Sequence, residues 1–161
     1  MRKKILKLVT ITALTTSLSA DSSFQMGYSS NDVGNADSVG GLYMSLDSLK
    51  NTNGFLFGTG FDINVFQVNN DSAYIMAAEV KTGYTLKNSF NIPFTLKAGV
   101  GFGVTHFCIN NDNDWSAHYS ASAEYDIYKS WGIGVKYKTT EVEFANTKFD
   151  IDSSIIYLKS F

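Results

Sequence analysis

The stretch Trp115–Tyr128 reads Trp-Ser-Ala-His-Tyr-Ser-Ala-Ser-Ala-Glu-Tyr-Asp-Ile-Tyr and alternates with a period of two. Its odd positions are apolar or aromatic, and its even positions are polar as far as Asp126. Successive side chains of a strand point to opposite faces, whereas a helix would repeat about every 3.6 residues. The stretch therefore predicts a β-strand with one apolar and one polar face.

The same alternation recurs along the chain and predicts eight strands in total. The apolar positions of the other seven strands begin at Phe24, Leu42, Phe55, Tyr74, Phe94, Trp131 and Phe149. Longer, Asn/Asp-rich connections alternate with shorter ones, which is typical of a barrel with one elaborate end and one plain end. The longer ones are expected at 29–41, 67–72, 108–114 and 140–148, and the shorter ones at 49–54, 85–92 and 128–130. These patterns predict an all-β, eight-stranded antiparallel up-and-down barrel.

The first twenty residues have a different composition. Four basic residues lie within residues 2–7, followed by an apolar stretch over 8–18 and by small residues at 17–20. This order is that of a secretory signal peptide, and the apolar stretch is too short for a membrane-spanning helix. We expect export, with cleavage after Ser19 or Ala20, and a single barrel domain over residues 21–161. Cleavage after Ala20 removes four of the 13 basic residues and none of the 15 acidic ones, so the net charge falls from −2 to −6.

The composition excludes several classes of protein. One Cys among 161 residues cannot form a disulfide scaffold, and an aromatic content of 14% argues against disorder. The negative net charge and the lack of a basic cluster beyond residue 7 disfavour nucleic-acid binding. We expect a monomer that needs no cofactor.

The apolar face of the barrel is expected to contact lipid, because its aromatic residues lie towards the strand ends and smaller residues lie between them. The predicted aromatic girdle consists of Tyr74, Tyr84, Trp115, Tyr125, Trp131, Phe149 and Tyr157. Glycines and charged residues on the polar face suit a narrow interior. The predicted charge network of the lumen consists of Glu79, Lys81, Lys97, Glu124, Lys136 and Lys138. The alternative is a soluble, lipocalin-like barrel whose charged face meets solvent.

The sequence stops at Phe161, and Ile155 and Tyr157 precede it with the same parity. This ending resembles the C-terminal signature of Gram-negative outer-membrane β-barrels, although Lys159 departs from the pattern. The whole mature chain resembles the small eight-stranded family labelled porin-like or outer membrane protein β-barrel domain. The resemblance implies location in the cell outer membrane, with contacts to its lipid and lipopolysaccharide. It also implies recognition of the last strand by the barrel-assembly machinery.

One group of residues resembles a catalytic motif. His118, Ser120 and Glu124 share a strand face, as in the outer-membrane lipid A deacylases, where His activates the Ser nucleophile. The family's Asn after the Ser is Ala121 here, the Glu of the family lies further downstream, and the predicted face is the lumen. We therefore expect no catalytic residues.

No metal site is expected either. The Asn/Asp-rich stretch 110–114 lacks the Gly and the distal Glu of an EF-hand loop. Cys108, at the start of this stretch, is given no redox role.

The sequence leaves three functional hypotheses open. The first is a structural, membrane-integrity or surface-interaction role through short Asp/Asn-rich external loops, with both termini in the periplasm. The second is a narrow porin-like conduit for small solutes. The third is a lipid A-modifying enzyme that uses His118, Ser120 and Glu124.

Overall fold

A computed structural model describes residues 21–34, 38–68, 71–108, 112–128, 130–144 and 147–161; the predicted signal peptide lies outside this range. Eight antiparallel strands form a closed barrel in chain order. Their bounds are β1 (Asp21–Val33), β2 (Val39–Thr52), β3 (Phe55–Val68), β4 (Asp71–Thr85), β5 (Phe94–Phe107), β6 (Asp112–Tyr128), β7 (Trp131–Phe144) and β8 (Thr147–Ser160). The barrel closes where β1 pairs with β8, from Phe24 opposite Ser160 to Val33 opposite Ile151. The predicted eight-stranded up-and-down barrel is confirmed.

The two ends of the barrel are named here by the chain termini. The proximal end carries the start of β1, the end of β8 and the connections 53–54, 86–93 and 129–130. The distal end carries the connections 34–38, 69–70, 108–111 and 145–146. Because consecutive strands are antiparallel neighbours, every second connection lies at the same end.

The predicted contrast between an elaborate and a plain end is wrong. The strands extend into the stretches 29–41, 67–72, 108–114 and 140–148, so the distal connections are short. The longest connection, 86–93, is at the proximal end and includes a single helical turn, α1 (Lys87–Phe90). In the described part of the chain, no helix is long and apolar enough to cross a membrane.

A two-residue turn joins β2 to β3. Asn53 and Gly54 have φ values of 54° and 93°, the left-handed backbone that this kind of hairpin turn requires at both central positions. Asn and Gly adopt such a backbone more readily than other residues. The Asn-Gly pair therefore sets the register of this hairpin.

Side-chain polarity divides the barrel into two levels. Over most of its height, large apolar side chains such as Leu42 and Phe102 are exposed on the outside, and polar side chains are buried inside. Near the distal end the interior is apolar. We call this apolar group the distal cluster, and it consists of Val33, Phe66, Ala73, Ile75, Val142 and Ile151. A single alternating strand can thus change its apolar face between the two levels.

The predicted outward face of β8 is wrong both at the distal cluster and nearer the proximal end, where Ile155 and Tyr157 form a second buried cluster with Tyr43. Ile155 and Tyr157 are buried inside the barrel, whereas Ile156 and Leu158 are exposed on the outside. Phe149 packs against the distal cluster, so it also has the inward parity. The odd positions of β8 are apolar because they fill the interior, and the sequence pattern alone assigned them to the lipid-facing side.

Candidate functional site

The interior of the barrel holds all six charged residues predicted to line the lumen. Glu79 and Lys81 come from β4, and the other four are Lys97 on β5, Glu124 on β6, and Lys136 and Lys138 on β7. Each of the six is buried. They point inward because each lies one position away from an outward apolar residue, so the pleat of the strand turns it to the other face.

Three further interior charges were not predicted from the sequence. Asp47 on β2, Asp62 on β3 and Lys159 on β8 are also buried. Asp62 lies between Phe61 and Ile63, so the alternation along β3 indicates that its side chain points into the barrel. Lys159, which departs from the C-terminal signature of outer-membrane barrels, is one of the interior charges.

The distal half of this set begins at Lys138. Its ammonium group lies 2.6 Å from the Asp62 carboxylate. Lys136 lies 2.9 Å from the other oxygen of Asp62 and 3.1 Å from Glu79 Oε2. Lys81 lies 3.3 Å from the same Glu79 oxygen. Each carboxylate therefore contacts two ammonium groups, which offsets the loss of its hydration.

The proximal half continues from Lys81, which also pairs with Asp47. Lys97 contacts Asp47 at 2.7 Å and forms a second ion pair with Glu124. Lys159 lies 2.8 Å from Glu124 Oε2. The order of charges is strictly alternating here as well.

The two halves form one linear chain of ion pairs, which we call the ion-pair chain. At its proximal end Asp126 lies 3.7 Å from Lys159. Its ten members, in order, are Lys138, Asp62, Lys136, Glu79, Lys81, Asp47, Lys97, Glu124, Lys159 and Asp126. Five positive and five negative charges balance, so the interior has no excess charge that would attract ions of one sign.

Neutral side chains tie the ion-pair chain to the wall. Gln25 donates a hydrogen bond to Asp47 at 2.9 Å, and the Tyr157 hydroxyl donates one to Glu124 at 2.8 Å. Lys136 donates to the Tyr43 hydroxyl at 3.2 Å. These bonds add neutral donors to carboxylates that already contact lysines, and one gives the buried Tyr43 hydroxyl a partner.

A layer of uncharged polar residues lies between the ion-pair chain and the distal cluster. Ser29 donates to Asn64 Oδ1 at 2.7 Å, and Asn64 donates to Asn31 Oδ1 at 2.6 Å. Ser153 donates to the same oxygen of Asn31 at 2.8 Å. From the distal end inward, the interior therefore holds an apolar layer, a neutral polar layer and a charged layer.

Two glycines provide room for these layers. The Tyr157 ring lies over Gly134, its partner across β7 and β8, and a Cβ atom at Gly134 would come within 2.6 Å of the Tyr157 hydroxyl oxygen. A Cβ atom at Gly60 would lie 2.6 Å from Asp47 Oδ1. Both glycines allow interior side chains to approach the wall more closely than any other residue would permit.

The catalytic motif suggested by the sequence does not assemble. His118 is 0% exposed, and its Nδ1 atom is 2.9 Å from the Thr140 hydroxyl rather than from a carboxylate. Glu124 lies six residues further along β6, about 20 Å away at the rise of a strand, and holds two lysines. Ser120 lies on the same inward face between them. The geometry lacks the contact between base and orienting acid that such a triad needs.

Within the described ranges, no group of three or more His, Cys, Asp or Glu residues could hold a metal ion. Cys108 is free and exposed at the distal end of the barrel.

Five of the seven residues of the predicted aromatic girdle lie on the outside of the barrel, and two lie inside. Trp115, Tyr125 and Trp131 are exposed on the outside, and Tyr74 and Tyr84 are half-buried there. The two β8 members are the exceptions already noted, because both have the inward parity.

Several solved structures are similar to this barrel in fold. The attachment invasion locus protein Ail of Yersinia pestis superposes with a TM-score of 0.58 at 12% sequence identity, over 89% of this chain and 99% of that one. Neisserial surface protein A gives 0.56 at 10% identity, over 86% and 96% of the two chains. The outer membrane enzyme PagL gives 0.54 at 11% identity, over 84% and 98%. The fold is that of the small outer-membrane β-barrels.

The barrel fold and the exposed apolar exterior together place the protein in an outer membrane. No protein-family model matches the sequence, and no curated protein matches it. At identities of 10–12% the similarity concerns the fold.

Proposed function

We propose that the protein is a closed outer-membrane barrel with a structural or surface-interaction role. The observation that carries this proposal is the filled interior, in which the ion-pair chain, the neutral polar layer and the distal cluster follow one another along the axis. An eight-stranded barrel is only wide enough for its own side chains. What remains available to partners is the outer wall and the distal rim.

A conduit for small solutes is the weaker alternative. A charged solute would have to pass the apolar distal cluster and then separate ion pairs in which four of the five carboxylates each contact two lysines. Removing one partner of a buried ion pair typically costs about 3–5 kcal/mol. Passage through the whole series would require several such steps.

An enzymatic role is not part of the proposal. The similarity to PagL, described as an outer membrane enzyme, extends to the fold at 11% identity. In this chain, His118 is enclosed in the interior and its ring has Thr140 as its neighbour. A lipid substrate approaches a barrel from the membrane side, where neither residue is exposed.

The charge of the distal exterior limits the kind of partner that this surface can bind. Ail of Yersinia pestis has been solved in complex with the heparin analogue sucrose octasulfate. Here the exposed distal ends of β1, β7 and β8 carry one lysine, Lys148, and four acidic residues, which are Asp32, Glu141, Glu143 and Asp150. Because like charges repel, we propose that this barrel does not bind a polyanion of that type along these strands.

The remaining partners of the proposal are those of a membrane barrel. The exterior would contact lipid and lipopolysaccharide, and the barrel-assembly machinery would recognise β8 during biogenesis. In that strand Ile156 and Leu158 are the exposed apolar residues, and Phe161 is exposed just after it. A monomer is proposed, because a closed barrel leaves no strand edge to pair with another chain.

Single-channel recording in planar bilayers tests the closed interior. The purified barrel, its folding verified by heat-dependent gel mobility, should give no conductance steps. A matched sample of a larger porin, treated identically, should give them. Reproducible steps that depend on the concentration of folded barrel would contradict the closed interior, while leaving the fold unaffected.

A further inference from the structure

The height of the apolar exterior differs between strands. Strands with a tilt of roughly 35–45° and a rise of about 3.3 Å gain about 2.5 Å of height per residue. The proximal ends of neighbouring strands lie within about three residues of one another in the strand pairing; Ser160, at the end of β8, is opposite Phe24, three residues above the start of β1. The number of residues from the proximal end of a strand therefore gives height around the barrel to within about three residues. The highest outward apolar residue of each strand can then be compared.

Five neighbouring strands, β2 to β6, carry an apolar exterior far towards the distal end. On β5 it reaches Val104, ten residues above Phe94, and on β6 it reaches Trp115, 13 residues above Tyr128. At about 2.5 Å per residue these heights are about 25 Å and 33 Å, which suffices for the hydrocarbon region of an outer membrane.

The other three strands, β7, β8 and β1, form what we call the low sector. Their highest outward apolar residues are Tyr137, Ile156 and Tyr28, which lie six, four and seven residues above the proximal ends of their strands. Above them the outward positions are polar. These positions are Ser30, Asp32, Thr139, Glu141, Glu143, Lys148, Asp150, Asp152 and Ser154.

Aromatic residues trace the same step in height. Tyr and Trp prefer the boundary between hydrocarbon and headgroups, where the ring is apolar and the polar tip is hydrated. On the tall side the upper boundary carries Tyr74 and Trp115, whereas in the low sector it carries Tyr28 and Tyr137. The residues at the upper boundary are therefore of the interfacial type on β1 and β7 as well as on β4 and β6, which supports a lower boundary in the low sector.

Cross-strand neighbours in the low sector also require a polar environment. Asp32 lies opposite Asp152, and Glu141 lies opposite Asp150. Like charges placed directly opposite each other are unfavourable in a sheet, and they would be more so in hydrocarbon, where nothing screens them. Water and headgroups at these positions would screen the carboxylates.

We propose that the low sector is an interaction surface for the polar headgroup layer of the membrane. The leaflet at the distal end descends along β7, β8 and β1 by three to seven residues relative to β2 to β5, which corresponds to about 8–18 Å. The low sector is continuous around the barrel with the lipid-facing wall of β2 to β6. The partner is therefore the same bilayer, locally thinned to match a shorter apolar wall.

Spin labels at positions of similar height test this proposal in the full mature barrel. Ser154 and Val100 are outward and exposed, and each lies six residues above the proximal end of its strand. Single cysteines would be introduced as Ser154→Cys and Val100→Cys in a Cys108→Ser background. The labelled barrels would be refolded into dimyristoylphosphatidylcholine vesicles. Collision rates with oxygen and with a water-soluble nickel chelate would then give the immersion depth of each label.

The label at position 154 should collide frequently with the nickel chelate, and the label at position 100 should collide mainly with oxygen. Equal immersion depths would overturn the proposal, because they would show a boundary of uniform height. Protection of position 154 from both reagents would overturn it too, since a second protein molecule would then cover the sector.

A second matched pair covers the case in which one variant fails to fold. Ser30 on β1 and Met76 on β4 each lie nine residues above the proximal end of their strands. Ser30→Cys should report the polar environment and Met76→Cys the apolar one, by the same measurement.

Discussion

The ammonium group of Lys159 lies 2.8 Å from Oε2 of Glu124 inside the barrel, although the two residues are 35 positions apart in the chain. Glu124 also pairs with Lys97 and accepts a hydrogen bond from the Tyr157 hydroxyl. One carboxylate thus joins β5, β6 and β8. This contact explains why a lysine occurs two residues before the C-terminal Phe161, within the strand that completes the barrel.

Replacement of Glu124 by Gln should destabilise the barrel strongly. The change leaves Lys97 and Lys159 buried without their shared carboxylate, and the loss of one partner of a buried ion pair costs about 3–5 kcal/mol. Urea unfolding in detergent micelles, followed by gel mobility, measures the difference. The control Lys148→Met removes an ion pair whose lysine side chain is 82% exposed and should leave the midpoint unchanged. Equal midpoints for all three proteins would contradict this role of Glu124.

Gly134→Ala should destabilise the barrel because the added methyl group meets the Tyr157 ring. An oversized side chain in a packed interior costs about 1–3 kcal/mol. Replacement of Tyr157 by Leu in the same chain should recover part of the loss, since the smaller side chain leaves the methyl group its space. If Gly134→Ala is equally harmful with Leu at position 157, the steric explanation is wrong.

Ile151 and Ile156 form a matched pair on β8. Ile151 is 0% exposed within the distal cluster, whereas Ile156 is 69% exposed on the outside. Ile→Ala at a buried position costs about 2–5 kcal/mol, so Ile151→Ala should lower the free energy of unfolding by that amount. Ile156→Ala should have a much smaller effect, because lipid or detergent occupies the vacated space. The same unfolding assay distinguishes them, and the reverse order would exclude an apolar interior at the distal end.

His118 and Thr140 should be replaceable together. Exchange of both hydrogen-bonding partners for apolar residues of similar shape, as in His118→Leu with Thr140→Val, is expected to be nearly neutral for stability. His118→Leu alone leaves the Thr140 hydroxyl without its partner and should be the less stable variant. Assay of the purified proteins for fatty-acid release from lipopolysaccharide should detect none in either the wild type or the double variant. Release by the wild type alone would establish an enzymatic role for His118.

Cys108 reports which end of the barrel faces outward. It is exposed at the distal end, so a membrane-impermeant maleimide should label it on intact cells if the termini are periplasmic. In a Cys108→Ser background, Ser130→Cys places the only thiol of the mature chain at the proximal end, where it should react only after the outer membrane is opened. Labelling of position 130 on intact cells would show the opposite orientation.

Most of the exterior could be predicted from the sequence. The direction of a side chain in a strand depends only on its parity, so runs such as Leu42–Leu46 and Trp115–Tyr125 identified the outward face correctly. The same parity placed Glu79 and Lys138 in the interior. The interior acids Asp47 and Asp62 were missed although they obey the same rule, because each is a single charge among neutral residues.

The strand β8 shows where parity is insufficient. Its odd positions include Phe149, Ile151, Ile155 and Tyr157, which look like a lipid-facing stripe. Alternation indicates that a strand has two different faces, but it does not indicate which face is inside. That assignment depends on the neighbours, since Ile151 contacts the distal cluster and Tyr157 reaches Glu124 from across the barrel.

The sequence by itself determined the number of strands and their antiparallel order, because these follow from local alternation and short connections. The aromatic residues near the strand ends and the resemblance to outer-membrane barrels indicated the class of membrane protein. Only the tertiary structure decided how the ten charges pair, because their partners lie on strands distant in the chain. It also decided that the apolar wall is lower on β7, β8 and β1, since height along a barrel is defined only after the strands are in register.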